Sequence, residues 1–285
     1  MGQPSPLLPI PFASEMLYPG PGDHHRMKLK HLIPEAVRTW LYWRRAGLVA
    51  LVKKAAHALG LSKLVWKMSL PSEVHFWDDY IRTRGKFCDA ADEFAFRISP
   101  DSELQPWLQE LLQTPEDAPL KFLDVGAGPL TWIGKKWGPR QIQINAIDPL
   151  AASYNKVLDH YGLTPPVRTA AIAGEDLLTV FPANSFDLAF ARNSLDHSYD
   201  APQVIKNMVA ATKPGGIVFL WHAQNEGERH HYQGLHQWNF RKENDALIVW
   251  RMQTSFNVND SFAGQLQLIY CTLADDMIKA VYRKL

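Results

Sequence analysis

From residue 121 onward, short apolar runs alternate with segments whose apolar positions recur at helical spacing. The runs predict strands near 121–125, 142–147, 167–171, 186–191 and 216–221. The intervening segments predict helices near 131–137, 150–161, 175–180 and 202–211. Strand–helix alternation of this kind builds a doubly wound, mostly parallel α/β sheet with right-handed crossovers. A polar stretch then runs from His222 to about Arg241, after which 246–253, 265–272 and 277–284 are strand-prone.

Upstream of the sheet the pattern is helical. Val37, Trp40 and Leu41 share one face of a segment over about 34–45, with Pro34 suited to its first turn. A second helical stretch covers 48–66, broken at Gly60. Further helices are predicted over 72–80 and 89–96. A turn at 99–101 follows, then an apolar stripe of Leu104, Trp107, Leu108, Leu111 and Leu112. Residues 1–26 carry Pro4, Pro6, Pro9, Pro11, Pro19 and Pro21 among few apolar pairs, which predicts a disordered or extended tail. The expected division is a Pro-rich tail over 1–26, a basic amphipathic helical extension over 27–70, and a main domain over 71–285. That domain is helical to about 115 and sheet-forming from 116.

Charges nearly cancel, at net +1 over 285 residues, so charge gives no argument for a nucleic-acid partner. The balance hides an asymmetry, because ten Lys or Arg between His24 and Met68 stand against Glu35 alone. Trp40, Trp43 and Trp66 accompany these cations. A helical cap packed on the main domain is the favoured reading of 27–68, and peripheral contact with an anionic inner-membrane face is the other. Only Cys88 and Cys271 occur, far apart, so neither a disulfide framework nor a thiolate metal site is expected, and a reducing cytoplasm is. No apolar run is long enough to cross a bilayer.

The chemistry concentrates where the first strand ends, in Lys121-Phe122-Leu123-Asp124-Val125-Gly126-Ala127-Gly128-Pro129-Leu130. Gly126 and Gly128 let the backbone turn tightly and let a ligand lie against it. Asp148 closes the second strand at the spacing, about twenty residues, where a carboxylate can take both hydroxyls of an adenosine ribose. A dinucleotide fingerprint would want a third glycine where Thr131 stands. Asp124 would repel a pyrophosphate but attract a sulfonium or an ammonium. The sign of the ligand therefore favours S-adenosylmethionine over a nicotinamide cofactor, and places an oxidoreductase behind a methyl-transferring enzyme.

Residues 121–222 resemble a class I S-adenosylmethionine-dependent methyltransferase, strand by strand. Phe122–Pro129 matches the family's glycine-rich first motif and Asp148 the acid after its second strand. Residues 173–177 are similar to the stretch that reads the adenine, although many relatives carry Asp where Ala173 stands, which leaves Glu175 or Asp176 for that part. Residues 185–190 match the fourth strand. Asn193-Ser194-Leu195-Asp196-His197 follows it, where the family commonly shows Asn and then Leu-Asp-His or Leu-Glu-His. Lys213-Pro214-Gly215-Gly216 matches the turn into the fifth strand. The resemblance implies a Rossmann-like methyltransferase fold with an antiparallel C-terminal hairpin. It also implies cofactor contacts from Asp124, Gly126, Gly128, Asp148, Glu175 or Asp176, and Asn193, and a helical roof to which Trp77, Tyr80 and Arg84 could contribute.

Methyl transfer is an in-line displacement, so the protein mostly aligns its reactants, and a hydroxyl acceptor also needs a base. His197 and His222 are the favoured bases, with Asp196 as orienting carboxylate. The segment 223–240, with His236 and Trp238, is read as a substrate lid or wall. His222, His230, His231 and His236 with Glu226 and Glu228 could be imagined around a divalent ion, but without fixed spacing no metal is expected. A loose likeness of the N-terminus to leaders of polysaccharide-modifying methyltransferases points to O-methylation of a sugar or glycan hydroxyl. A small natural product or lipid-like acceptor is the alternative, and a non-catalytic cofactor-binding protein a further one.

Overall fold

The computed structural model describes residues 51–53, 55, 56, 58–112 and 118–285. The predicted tail over 1–26 and the helix over 34–45 lie outside the described residues. Strands β1 (Leu120–Val125), β2 (Ile142–Ile147), β3 (Phe186–Arg192) and β4 (Thr212–Ala223) pair in parallel. β8 (Leu266–Ala274) and β9 (Met277–Lys284) add an antiparallel edge. The order across this sheet is β2-β1-β3-β4-β9-β8. β3 is buried at six of seven positions, as expected of a central parallel strand covered on both faces. The terminal hairpin closes through Asp275 and Asp276, both at positive φ, the two-residue turn whose twist suits flanking strands.

Helix α1 (Ser62–Thr83) runs unbroken through Pro71 and ends at Arg84, which caps it in the left-handed region. Gly60 lies just ahead of it at positive φ, as the sequence predicts for a breaker. Then come α2 (Ala91–Ile98), α3 (Pro106–Leu111), α4 (Ala151–His160) and α5 (Ala201–Ala211). Asp200 caps α5 by accepting from the Gln203 backbone N–H, with Pro202 in the first turn. A short α6 (Glu226–Arg229) follows β4. Strands β5 (Asn239–Glu243), β6 (Ala246–Arg251) and β7 (Thr254–Asn257) form a second sheet of their own, with the one-turn α7 (Val258–Ser261) after it. Phe240, Leu247 and Val249 of that sheet share one apolar core with Val218, Leu220, Ile278 and Ala280 of the main sheet. No described helix is long and apolar enough to cross a membrane.

Two elements depart from expectation. The helix predicted over 131–137 does not form. The backbone there pairs instead with 102–105: Lys135 and Lys136 N–H donate to Ser102 O, and Leu104 N–H donates to Lys136 O. Gly134 lets the two backbones meet, since a β-carbon on it would lie 2.1 Å from Glu103 O. The strand predicted at 167–171 shrinks to one parallel bridge, Ile147 to Ala170.

Candidate active site

β1 stands between β2 and β3, so the chain leaves its carboxyl end in opposite directions and opens a crevice there. The cleft encloses about 820 Å³, counting the part open to solvent. Its floor comes from 124–128, Asp148, 192–195, His197 and Ser198, one wall from Gly174 and Glu175, and its roof from Trp66, Leu70, Glu73 and Trp77 of α1.

The glycine turn is built by its neighbours. Gly126 and Ala127 N–H both donate to Ile147 O, and Ser194 Oγ donates to Val125 O. A β-carbon on Gly126 would lie 2.4 Å from the Ser194 β-carbon, and one on Gly128 would lie 2.6 Å from the Trp77 indole. Asp148 accepts from Gly128 N–H at 3.2 Å and Leu150 N–H at 2.8 Å. Burial pushes its carboxyl up to about 7, against those two hydrogen bonds. Asp124 accepts from Thr131 Oγ1 at 2.6 Å, so Thr131, the residue that spoils a dinucleotide fingerprint, serves the acid instead.

Beside Asp124 lies a cationic corner. Arg97 and Arg192 both line the cleft, and Glu93 pairs with Arg97 at 2.8 Å and with Arg192 at 3.1 Å. Burial pushes Glu93 up, but the two guanidiniums outweigh it and hold the carboxyl down at about 2. Arg192 packs against the rings of both Trp132 and Trp221, at 4.5 and 4.9 Å from their centroids. Its Nε, the Tyr80 hydroxyl and the Trp221 indole nitrogen are buried polar atoms with no hydrogen-bond partner.

At the other end, the turn Leu195–His197 carries Asp196 and His197 against the loop before β5. Asp196 O accepts from Gln237 and Trp238 N–H, which locks the two segments together. Asp196 Oδ2 lies 2.7 Å from His236 Nδ1 and 3.3 Å from His197 Nε2, and those two ring nitrogens are 3.2 Å apart. Burial lowers His236. It would lower His197 too, but Asp196 and Glu73 outweigh it and raise that ring above its ordinary value.

Of the residues singled out by sequence, Asp124, Gly126, Gly128, Asp148, Glu175, Asn193 and His197 line the cleft. Asp196 and His236 meet just behind His197. Asn193 braces two strand ends, its Oδ1 accepting from Ala223 N–H. Asp176, the alternative to Glu175, is exposed and lines nothing. His222 is buried against the Phe240 ring, held down to about 4 by burial, and does not border the cleft. Trp238 is a core residue whose indole donates to Ser198 O while Arg251 covers its face. Trp77 joins the roof, whereas Tyr80 packs beneath it and Arg84 only caps α1. Glu73, Arg97 and Arg192 went unread in the sequence, because no local spacing relates residues on separate elements 24 and 95 positions apart.

The chain matches the family model described as a methyltransferase domain over residues 94–259. The chain belongs to that methyltransferase family. Comparison with curated proteins returns no match. Among solved structures it is similar to a putative S-adenosylmethionine-dependent methyltransferase from Listeria monocytogenes, at 13% identity and TM-score 0.40, over 62% of this chain and 97% of that one. It is similar to the 1,6-didemethyltoxoflavin N1-methyltransferase of Burkholderia thailandensis at 15% identity and TM-score 0.37, over 73% and 87%. It is also similar to the cyclase SpnF at 25% identity and TM-score 0.30, spanning 42% of this chain and 45% of the cyclase. The enzyme is a methyltransferase. Its cleft fits S-adenosylmethionine as methyl donor, with bare α-carbons at the floor, a buried carboxylate after β2 and unpaired donors in the cationic corner.

Proposed function

We propose that this methyltransferase methylates a hydroxyl oxygen of a small polar acceptor, a sugar or glycan first of all. One observation carries the reading: His197, bordering the cleft, stands against the buried Asp196 and its half-buried partner His236. When bound, S-adenosylmethionine supplies a methyl carbon activated by positive sulfur. Asp148 receives the ribose hydroxyls, Glu175 faces the adenine, and Asp124 meets the ammonium while Arg97 and Arg192 meet the carboxylate. Asn193 and Ser194 hold the floor. His197, once neutral, takes the acceptor's proton, and Asp196 stabilises the imidazolium that results. His236 holds Asp196 in place.

The domain division read from sequence belongs to this proposal, with one addition: α1 crosses the boundary at 70 and joins extension to enzyme. Leu59, Leu61, Leu64 and Met68 are exposed beside Lys63 and Lys67, which supports peripheral contact of this stretch with an anionic membrane.

The test is transfer of labelled methyl from S-adenosylmethionine to a panel of sugars, other hydroxylated metabolites and lipid-like alcohols. Labelled methyl ethers are expected, with kcat/KM rising as pH passes the His197 titration. Asp196→Asn removes the charge that holds that proton, so the rising limb moves to lower pH and its plateau falls. Labelling only at nitrogen or carbon, or an unmoved limb, overturns the reading.

A further inference from the structure

Asp196 Oδ2, His197 Nε2 and His236 Nδ1 form a triangle with edges of 2.7, 3.3 and 3.2 Å. Hydrogen bonding explains only part of it. A ring nitrogen has one in-plane hydrogen or lone pair, so it makes one good hydrogen bond, yet each of these two nitrogens faces two partners. All three atoms lie within 4.8 Å of one another, each offered by a different side chain. A triangle with those edges has a circumradius of about 1.8 Å, so a cation about 2.1 Å from every corner sits about 1.1 Å above the plane. That is the cap of a three-ligand metal site with its remaining side open.

The surroundings agree. The far nitrogen of His197, Nδ1, lies 3.6 Å from Glu73 Oε2, the position from which a carboxylate orients a metal-bound imidazole. The His230 ring stacks on His236 at 4.1 Å. Asp196 Oδ1, both ring nitrogens of His222 and both amide atoms of Gln237 are buried without a hydrogen-bond partner. So many unpaired polar atoms in one neighbourhood are costly for a site that serves only packing. Gln237 N–H donates to Asp196 O at 2.8 Å, which ties this neighbourhood to the triangle.

We infer that Asp196, His197 and His236 bind one divalent transition ion whose open side receives the acceptor's oxygen. Two imidazoles and one carboxylate select zinc, cobalt, iron or manganese over magnesium, which prefers oxygen throughout. The inference rests on the O-methylation reading for its ligand and changes one step of it. With the ion bound, both histidines are neutral ligands. The acceptor O–H bond breaks, its proton leaves to water through the open cleft, and the electron pair left on oxygen forms the C–O bond to the donor's methyl carbon as the C–S bond breaks and its pair returns to sulfur.

The experiment titrates cobalt(II) alone into chelator-treated full-length protein, reading visible absorption and calorimetry together. One ion per chain and a new visible band are expected, with affinity at least tenfold weaker in His236→Ala and in Asp196→Asn. His160→Ala, outside the cluster, keeps both. No band in the wild-type protein overturns the inference, as does a band undiminished in both cluster variants. Full methylation by metal-stripped enzyme also overturns the ion's part in the reaction while leaving O-methylation standing. Normal cobalt binding with no oxygen methylated in any acceptor leaves the site standing and sinks the function instead.

Discussion

The Trp77 indole covers the bare α-carbon of Gly128 so closely that a β-carbon there would lie 2.6 Å from Cζ2. Trp77 is pinned by its own Nε1, which donates to Glu73 at 2.9 Å. The roof helix and the glycine turn therefore fit as one unit, and each constrains what the other can be.

Gly128→Ala should carry two costs, a positive φ of 63° and displacement of the indole. Gly162→Ala shares the first alone, with φ 64° and nothing within 4 Å. Urea denaturation should place Gly128→Ala below wild type by more than the roughly 1–3 kcal/mol of backbone strain that Gly162→Ala carries. S-adenosylhomocysteine affinity should fall only in the former. Equal destabilisation would mean that the indole moves aside freely.

Asp148 is raised from 3.8 to about 7 by burial, so its folded form keeps a proton that the unfolded chain has lost. The stability it contributes is present below about pH 4 and is lost as pH rises towards 7. Asp148→Asn should flatten that part of the stability profile in denaturation at stepped pH. Ribose hydroxyls donating to the ionised carboxylate reverse the preference, so binding of S-adenosylhomocysteine at pH 6 should release a proton. Calorimetry in buffers of different ionisation heat reads that release, and Asp148→Asn should abolish it.

Glu93 has the opposite sign. Held at about 2 between Arg97 and Arg192, it stabilises the fold above its unfolded value of 4.5, and that contribution is lost as pH falls towards 2. Glu93→Gln leaves two buried guanidiniums without their shared carboxylate and should cost about 3–5 kcal/mol. Acid titration of the variant should lack the wild-type loss over that window.

Arg192 tests the amino-acid end of the donor. Arg192→Gln should weaken S-adenosylhomocysteine at least tenfold, about 1.4 kcal/mol. Methylthioadenosine, which lacks the carboxylate, should bind both proteins alike. Parallel loss for both ligands would assign Arg192 to the architecture of the corner.

The parts of the site legible in sequence are those made by short stretches of chain. Gly126, Gly128 and Asp148 could be read because a strand, a turn and the next strand end fix their separation. Where a segment had two possible partners, the reading failed. Thr131 to Trp137 has helical spacing, but its backbone groups are taken by 102–105, and a hydrogen bond spent there cannot close a helical turn. His222 and Trp238 failed differently: His222 closes an apolar strand and Trp238 lies among polar neighbours, yet both are buried where the two sheets share a core.

Apolar periodicity and the punctuation of glycine, proline and acid along the chain determined the sheet and most of its helices. They also placed Asp124 and Asp148 at strand ends that border one cleft. These follow from interactions between near neighbours, which composition and spacing express directly. Folding alone decided that Glu93 would bind Arg192, that Trp77 would roof Gly128, and that Asp196 and His197 would meet His236. Such pairings depend on where separate segments pack in space, and separation along the chain carries no record of that distance.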